Sequence, residues 1–453
     1  MMNWIKKNLA LITKIFLWVL LLQFFLQTLV TFGFGWDWKI WTLIWMWKEF
    51  IIIGLSIFVV WFLARKVSRD KLQTLWDEFP LKTFVFMFFV TLLMAFVLSL
   101  FQSSISNFIL SARYSMFWFF IFILFFVISY LFFDKKSENL IERYNKIIKR
   151  VLIWALAWWA VIWLVPNTLR HVGYNQWNFE WDVWIRPPAA YYTQYKEWFV
   201  RNQFLFERPI SLWFFLVVFW PLFFITILYR KSPKTWILRG WLYWLILLST
   251  FSRAAWWAWF LQTIIMFLLL YWKNWKRLMV TVFVPILLLV WVISYFWNDQ
   301  ILNREYSNTW HIKEVKIALQ KVAESPFFGK WAASAWPASH HLGEWKEYNP
   351  ENQYLQIWIE YWLLAFIWWM VLYVYLHLIW FWAWKDSLMV KETKDMRKLS
   401  LIMIAFSLWL LWLSIEWLVL HSFVDRMVVY PFVALFGMYY AIYYKEKNHL
   451  ESK

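Results

Sequence analysis

Long apolar runs recur along the chain, and many reach the roughly 20 residues that a helix needs to cross about 30 Å of hydrocarbon. Lipid offers no partner to an unpaired backbone group, and the runs lack the alternation of a transmembrane β-barrel. A hydrophobic content of 63% is also too high for an ordinary soluble domain. The sequence therefore predicts an all-α integral membrane protein.

We predict about 12 transmembrane helices, at 9–34, 40–64, 83–101, 114–133, 151–165, 210–229, 235–250, 254–272, 278–297, 357–383, 399–420 and 424–444. Two stretches between these runs are too polar to cross and too long to be simple links. The chain then divides into helices 1–5 (1–165), a first large loop (166–209), helices 6–9 (210–297), a second large loop (298–356), and helices 10–12 with a tail (357–453).

The formal net charge of +18 would suggest a nucleic-acid ligand in a soluble protein. Here the lysines and arginines concentrate in alternate links such as "RKVSRDK" at 65 and "KNWKR" at 273. By the positive-inside rule these links face the cytoplasm. This predicts a multi-pass protein of the cytoplasmic membrane with both termini cytoplasmic, both large loops extracytoplasmic, and no nucleic-acid partner.

Several kinds of chemistry are excluded by what the sequence lacks. There is no cysteine, which rules out disulfides, thiolate metal ligands and a cysteine nucleophile. The sequence contains no Asp-x-Asp motif, no "GxxxxGK[ST]" phosphate loop and no "HExxH" zinc site. We therefore expect no metal site and no cofactor.

The second large loop contains a helical pattern. Its apolar residues follow helical spacing from 312 to 322, which predicts an amphipathic helix lying on the membrane or over the bundle: Ile312, Val315, Ile317, Ala318, Leu319 and Val322. Ser325 and Pro326 are predicted to end it. Long loops on a rigid helical scaffold are where chemistry usually lies.

The chain contains 44 tryptophans and only 8 glycines. At the usual glycine content of about 7%, a chain of this length would hold roughly 32. Many tryptophans stand beside alanine and serine inside predicted spans, in "AWWAV" at 157, "AAWWAWF" at 254, "IWWMV" at 367 and "LWLLWL" at 408. Aromatic belts at the two membrane interfaces explain only a minority of them.

Other tryptophans, including those of "GKWAASAWP" at 329, stand in loops where turns favour glycine. Some bacteria read the codon UGA as glycine. Our hypothesis is that the sequence is a conceptual translation in which UGA was read as tryptophan, although genuine tryptophans remain among the 44.

With glycine restored at such positions, "NREYSNTWHIKEVKIALQKVAESPFFGKWAASAWPASHH" followed by "NPENQYLQIWIEYWLLAF" resembles the O-antigen ligase and O-antigen polymerase superfamily. Trp362 stands where the family has a glycine. "STFSRAAWWAW" at 249 is similar to the family's Ser-Arg element, and "RNQFLFERPISLW" at 201 to its arginine-bearing segment. The resemblance covers about 166–437, and its strongest part is 304–364.

The resemblance implies an inverting glycosyl transfer outside the cytoplasm. The implied partners are a polyprenyl-pyrophosphate-linked glycan donor, a glycan, lipid or protein acceptor, and the bilayer. A guanidinium fork holds phosphate oxygens bidentately, so arginines are expected to hold the departing pyrophosphate. The candidates are Arg253, Arg208 and Arg304; alternatively, Arg253 extends from a helix end toward lipid headgroups.

The general base is expected at or near Glu351, where many family members have histidine. A carboxylate serves if desolvation raises its pKa, whereas a histidine needs no such shift. His311, His340 and His341 are the alternatives in the same loop, against the ordinary outcome of solvated histidines. Supporting residues are expected at the signature and at the turn between the last two spans: Asn352, Tyr354, Glu360, His421 and Arg426.

Glu360 falls inside the membrane boundary, where an ionisable group is costly and usually paired. It is expected either to orient an arginine or to anchor neighbouring helices. A polytopic transporter or flippase of lipid-linked glycans remains the main alternative function, and a non-catalytic membrane scaffold is a third. The concentration of polar residues in two loops and the lack of an internal repeat favour the enzyme.

Overall fold

The computed structural model describes residues 38–77, 79–132, 152–158, 209–228, 233–250, 252–271, 305–330, 332–335, 352–389, 394–416 and 426–451, with isolated positions between 11 and 23, between 146 and 161, and at 202, 206 and 291. Within these residues the regular structure is helical and contains no strand. The prediction of an all-α protein is confirmed.

The helices, in chain order, are α1 (Trp38–Lys66), α2 (Arg69–Asp77), α3 (Lys82–Gln102), α4 (Ile105–Ser115), α5 (Phe117–Phe132), α6 (Pro209–Leu228), α7 (Pro233–Ser249), α8 (Arg253–Tyr271), α9 (Glu305–Glu324), α10 (Gln353–Met389), α11 (Lys394–Glu416) and α12 (Arg426–Glu451). The predicted spans at 9–34, 151–165 and 278–297 lie largely outside the described residues.

Three of the described helices are long and apolar enough to cross a membrane. The qualifying segments are Trp47–Arg65, Lys82–Phe101 and Gln353–Ala383. Helices α4 and α5 meet at 63° and qualify as a fourth if the bent pair forms one span. Shorter apolar helices occupy parts of further predicted spans, at Leu11–Leu20, Ser211–Ile225, Ala254–Met266 and Leu399–Leu413. The chain is therefore a helical membrane protein.

The helices form two compact units. The first comprises Met1–Lys48 and Phe132–Arg304 and contains α6, α7 and α8 packed on one another. An aromatic cluster joins these three helices: the Trp220 ring lies 4.8 Å from that of Tyr243 and 5.4 Å from that of Trp259. The indole N–H of Trp220 donates to Thr263 Oγ1 at 2.9 Å. Aromatic packing therefore connects the cores of three helices here.

The second unit comprises Glu49–Leu131 and Glu305–Lys453. Its central element is α10, which packs against α3, α9 and α11, while α11 packs against α12. Gly437 of α12 faces the backbone of Phe122 in α5 so closely that a Cβ would collide with the Phe122 carbonyl. Glycine at 437 therefore permits close contact between two helices, as small residues do in membrane bundles.

Helix α9 occupies the segment where the amphipathic helix is predicted, and it ends before Ser325 and Pro326 as expected. Ala318 and Val322 are buried and pack with Ile359 of α10. Ile312 and Leu319, predicted on the same apolar face, are instead 58% and 52% exposed. Only part of the predicted apolar face of the helix is therefore buried against α10.

Candidate functional site

Helix α10 is interrupted at Trp362. Its backbone there has φ 80° and ψ 169°, inside a segment that is otherwise helical from Gln353 to Met389. This combination of positive φ and extended ψ is populated almost only by glycine, because a Cβ collides with the backbone. The indole is also 7% exposed, so a large side chain is buried at a strained position.

At the interruption, two backbone groups of α10 have partners outside the helix. In a continuous helix the Leu363 N–H donates to the Ile359 carbonyl, four residues earlier. In this structure the Leu363 N–H donates to the Phe327 carbonyl at 3.2 Å, and the Ile359 carbonyl accepts from the Lys330 N–H at 2.7 Å. Both freed groups are therefore satisfied by the segment that follows α9.

We define residues 325–335 as the docking loop, because this segment fills the break in α10. Gly329 has φ 65°, and a Cβ at this position would lie 2.5 Å from the Ile359 carbonyl oxygen. Glycine is therefore required at 329 both by backbone conformation and by space. The Trp358 indole N–H donates to the Pro326 carbonyl at 2.7 Å, which adds a side-chain contact to the two backbone bonds.

Glu360 lies one residue after Ile359 and is only 5% exposed. The Ser111 hydroxyl of α4 donates to its Oε2 at 2.5 Å, and the Ala335 N–H of the docking loop donates to its Oε1 at 3.2 Å. A further hydrogen bond of 2.6 Å joins Ser111 Oγ and Tyr361 Oη. Since a serine hydroxyl has one proton, Tyr361 donates to Ser111 when Ser111 donates to Glu360.

Glu360 was expected to orient an arginine or to anchor neighbouring helices. In the described part of the chain its carboxylate accepts hydrogen bonds from a serine of α4 and from a loop amide, among others. A carboxylate with two donors is stabilised at a depth where an isolated charge would be costly. The carboxylate thus connects α4, α10 and the docking loop.

The other signature residues have structural partners at the start of α10. Asn352 accepts the Leu355 N–H on its Oδ1 at 3.0 Å and the Gln356 N–H on its carbonyl at 3.0 Å, which makes it the N-cap. The Tyr354 ring meets that of Tyr373 edge to face at 6.1 Å. Asn352 therefore starts the helix whose interruption lies ten residues later.

The two arginine-bearing motifs also meet, within the first unit. Asn202 of "RNQFLFERP" is fully buried; its backbone N–H donates to the Ser249 carbonyl at 2.8 Å. Its side-chain amide donates to Ser249 Oγ at 3.0 Å and to the Ala155 carbonyl at 3.2 Å. Ser249 opens the motif "STFSR", so residue 202 and the end of α7 are held together.

In the same motif Ser252 caps α8. The Ala255 N–H approaches Ser252 Oγ at 3.4 Å, and the Trp256 N–H donates to the Ser252 carbonyl at 3.1 Å. Arg253 is thereby the first residue of α8. Arg426 likewise begins α12, and His311 lies half-buried on α9.

The remaining predicted site residues lie outside the described residues: Arg208, Arg304, His340, His341, Glu351 and His421. Asn352, Tyr354 and Glu360 all lie in or at the start of the α10 segment that precedes the interruption. The sequence did not indicate Ser111, Tyr361 or Ala335 as site residues. Ser111 bonds to Glu360 and Tyr361, and Ala335 bonds to Glu360, and each bond joins segments that are distant in the sequence. No group of three or more metal-binding side chains occurs among the described residues.

An ion pair near the start of the second unit was also not predicted. Arg113 Nη2 lies 3.0 Å and its Nε 3.2 Å from Glu49 Oε1. The side chains are 19% and 6% exposed. Arg113 therefore balances a buried carboxylate.

Several tryptophans bury an indole N–H that has no hydrogen-bond partner among the described residues: Trp158, Trp259, Trp362, Trp368, Trp369, Trp409 and Trp412. Apart from Trp362, each lies in one of the four tryptophan-rich runs noted in the sequence. An unsatisfied buried N–H costs about 1–3 kcal/mol, so buried indoles usually have a partner.

Comparison of the chain with protein-family models, with curated proteins and with solved structures finds no match.

Proposed function

We propose that this membrane protein is a glycosyltransferase of the O-antigen ligase and polymerase type, acting on the extracytoplasmic face. In this proposal twelve spans carry two large extracytoplasmic loops, and both termini are cytoplasmic. The donor is a glycan linked to polyprenyl pyrophosphate. The acceptor is a hydroxyl of a glycan, lipid or protein.

The observation that supports this proposal most is the docking loop filling the break in α10. The signature segment combines a capped helix start at Asn352, a buried carboxylate at Glu360 and a glycine-type break at 362. A loop held by backbone hydrogen bonds on a rigid helix gives the fixed geometry that group transfer needs. The residues of the sequence motif are thereby explained as parts of one local structure.

In the proposed reaction the acceptor oxygen attacks the anomeric carbon and the bond from that carbon to the pyrophosphate oxygen breaks. The acceptor proton passes to a base, for which Glu351, His311, His340 and His341 are the candidates. The pyrophosphate leaves on the lipid, and Arg253, Arg208 and Arg304 are proposed to stabilise its charge. Asn202 and Ser252 support this role for Arg253, because they fix the backbone around it.

The break in α10 bears on the alternative of a transporter or flippase. Interrupted transmembrane helices often form the substrate sites of secondary transporters, where the freed backbone groups contact the substrate. In α10, however, the freed groups of Ile359 and Leu363 are occupied by Lys330 and Phe327 of the docking loop. These two backbone groups are therefore not available to a transported ligand, which favours the enzyme.

The proposal is tested with purified protein in liposomes that contain a lipid-linked glycan donor and an acceptor. We expect Arg253→Ala to abolish formation of the new glycosidic bond. Arg69→Ala removes an exposed arginine at the start of α2 and is the matched control, with activity unchanged. Translocation of the donor across the bilayer without any new glycosidic bond would instead identify a flippase.

We also propose that glycine stands in the cell at position 362 and at other positions printed as tryptophan. The glycine-type backbone at Trp362 and the unpartnered indoles in the tryptophan-rich runs support this recoding. Mass spectrometry of the tryptic peptide 331–346 from the native organism tests it. Glycine at 331, 336 and 345 is expected; tryptophan at all three would overturn the recoding of this loop.

A further inference from the structure

We propose that Glu360 is the positioning residue of the docking loop, and that Ser111 of α4 holds its carboxylate in place. The inference deepens the proposed function, since its catalytic consequence rests on that function. The positioning itself is a property of the fold and has its own test.

Two regions of the docking loop are hydrogen-bonded to α10. Two backbone hydrogen bonds fix its early part, from Phe327 to Lys330, to the break in α10. Its later part turns at Ala333, which has φ 64°. Beyond this turn, the Ala335 N–H donates to Glu360 Oε1, and this hydrogen bond holds the later part of the loop to α10. Glu360 therefore controls where the loop leaves α10.

The carboxylate of Glu360 is held in one orientation. A glutamate side chain has several rotamers, and a loop can be positioned by it only if one of them is selected. The short hydrogen bond from Ser111 to Oε2 selects the rotamer in which Oε1 faces Ala335. Tyr361 in turn fixes the Ser111 hydroxyl. All three side chains are buried, so water does not compete for these bonds.

The position of the docking loop matters for the proposed chemistry. Ala335 leads directly into the stretch 336–351, which contains His340, His341 and Glu351, three of the candidate bases. A base displaced by about 1 Å loses much of its rate advantage. Glu360 acts through the loop and does not touch the reacting atoms in this proposal. Its loss should therefore lower kcat strongly, while KM for the lipid-linked donor changes little.

The absence of cysteine allows the loop to be probed without background labelling. Ser334→Cys places a thiol in the half-buried part of the docking loop, and Thr309→Cys places one on the exposed face of α9 as a reference. The rate of reaction with a membrane-impermeant maleimide then reports how often the loop opens. The backgrounds to compare are wild type, Glu360→Ala, Glu360→Gln, Ser111→Ala and a control, Ser129→Ala.

We expect Glu360→Ala to raise the rate of labelling at 334 about tenfold or more. The loss of one hydrogen bond to a carboxylate shifts an equilibrium between closed and open loop by about this factor. Glu360→Gln keeps an acceptor oxygen for the Ala335 N–H and should restore most of the protection. Ser111→Ala should give an intermediate rate. Ser129→Ala is the matched control, because it removes a serine hydroxyl that is also buried but has no hydrogen-bond partner in the described residues. Labelling at 309 should not change.

Unchanged labelling at 334 in both Glu360→Ala and Ser111→Ala would overturn the positioning role. Increased labelling at 334 in Glu360→Ala together with an unchanged kcat would overturn the proposed effect of Glu360 on catalysis. Failure of the proposed function has a different signature. In that case wild type forms no glycosidic bond, yet the labelling rates still depend on Glu360 and Ser111.

Discussion

The backbone at position 362 makes a prediction that does not depend on which codon encodes the residue. Trp362→Gly and Trp362→Ala both delete the indole and its buried N–H, so they differ only by one Cβ. In a regular helix alanine is more stable than glycine by about 1 kcal/mol. At φ 80° and ψ 169° the order reverses, because the alanine Cβ carries a strain of about 1–3 kcal/mol.

The expected result is that the glycine variant has the higher melting temperature, by a few degrees, since about 1 kcal/mol corresponds to roughly 2–4 °C in larger domains. Ala365→Gly is the control: this alanine is fully buried in the same helix, three residues on, and its substitution should lower the melting temperature. The assay is the fraction of monodisperse protein left after heating in detergent. A Trp362→Ala protein as stable as Trp362→Gly would refute the interruption of α10.

Three further outcomes are expected. Asn202→Ala should destabilise the first unit by about 2–4 kcal/mol, since it removes two hydrogen bonds from a fully buried amide; thermal unfolding with and without the substitution measures this. Arg113→Ala should cost about 3–5 kcal/mol, because it removes the ion-pair partner of the buried carboxylate of Glu49. Combining it with Glu49→Ala should recover part of the loss. The hydrogen bond from Lys330 lowers the pKa of Glu324. The carboxylate therefore stabilises the fold above its unfolded-state pKa, and this contribution is lost as the pH falls through its lower folded-state pKa. Glu324→Gln should reduce the dependence of the melting temperature on acid pH.

The sequence predicts most of what depends on local pattern. Apolar runs predict helices such as α3 and α10, and the pair Ser325 and Pro326 predicts where α9 ends. The sequence also distinguishes Trp362 as a position where glycine is expected. It does not predict that the helix is broken there, because the break requires the docking loop to supply two hydrogen-bond partners.

Contacts between distant segments are the part that local pattern does not reach. Ser111 and Glu360 are 249 residues apart, and no periodicity in either segment indicates the other. The apolar stripe of α9 illustrates the same limit: spacing identifies Val322 and Leu319 as equivalent, but only Val322 is buried. Which apolar residues of α9 are buried depends on where the neighbouring helix lies, and the spacing of apolar residues in α9 does not contain that information.

The break in α10 also affects how the protein is assembled. When the segment Gln353–Ala383 enters the bilayer, its Ile359 carbonyl and Leu363 amide have no partners within the helix, and each unpaired group costs several kcal/mol in hydrocarbon. Stable insertion of this span therefore requires the preceding residues 327–330 to be in place beside it. Substitutions in that short segment are expected to reduce the amount of protein in the membrane through degradation during biogenesis, before any catalytic defect is measured.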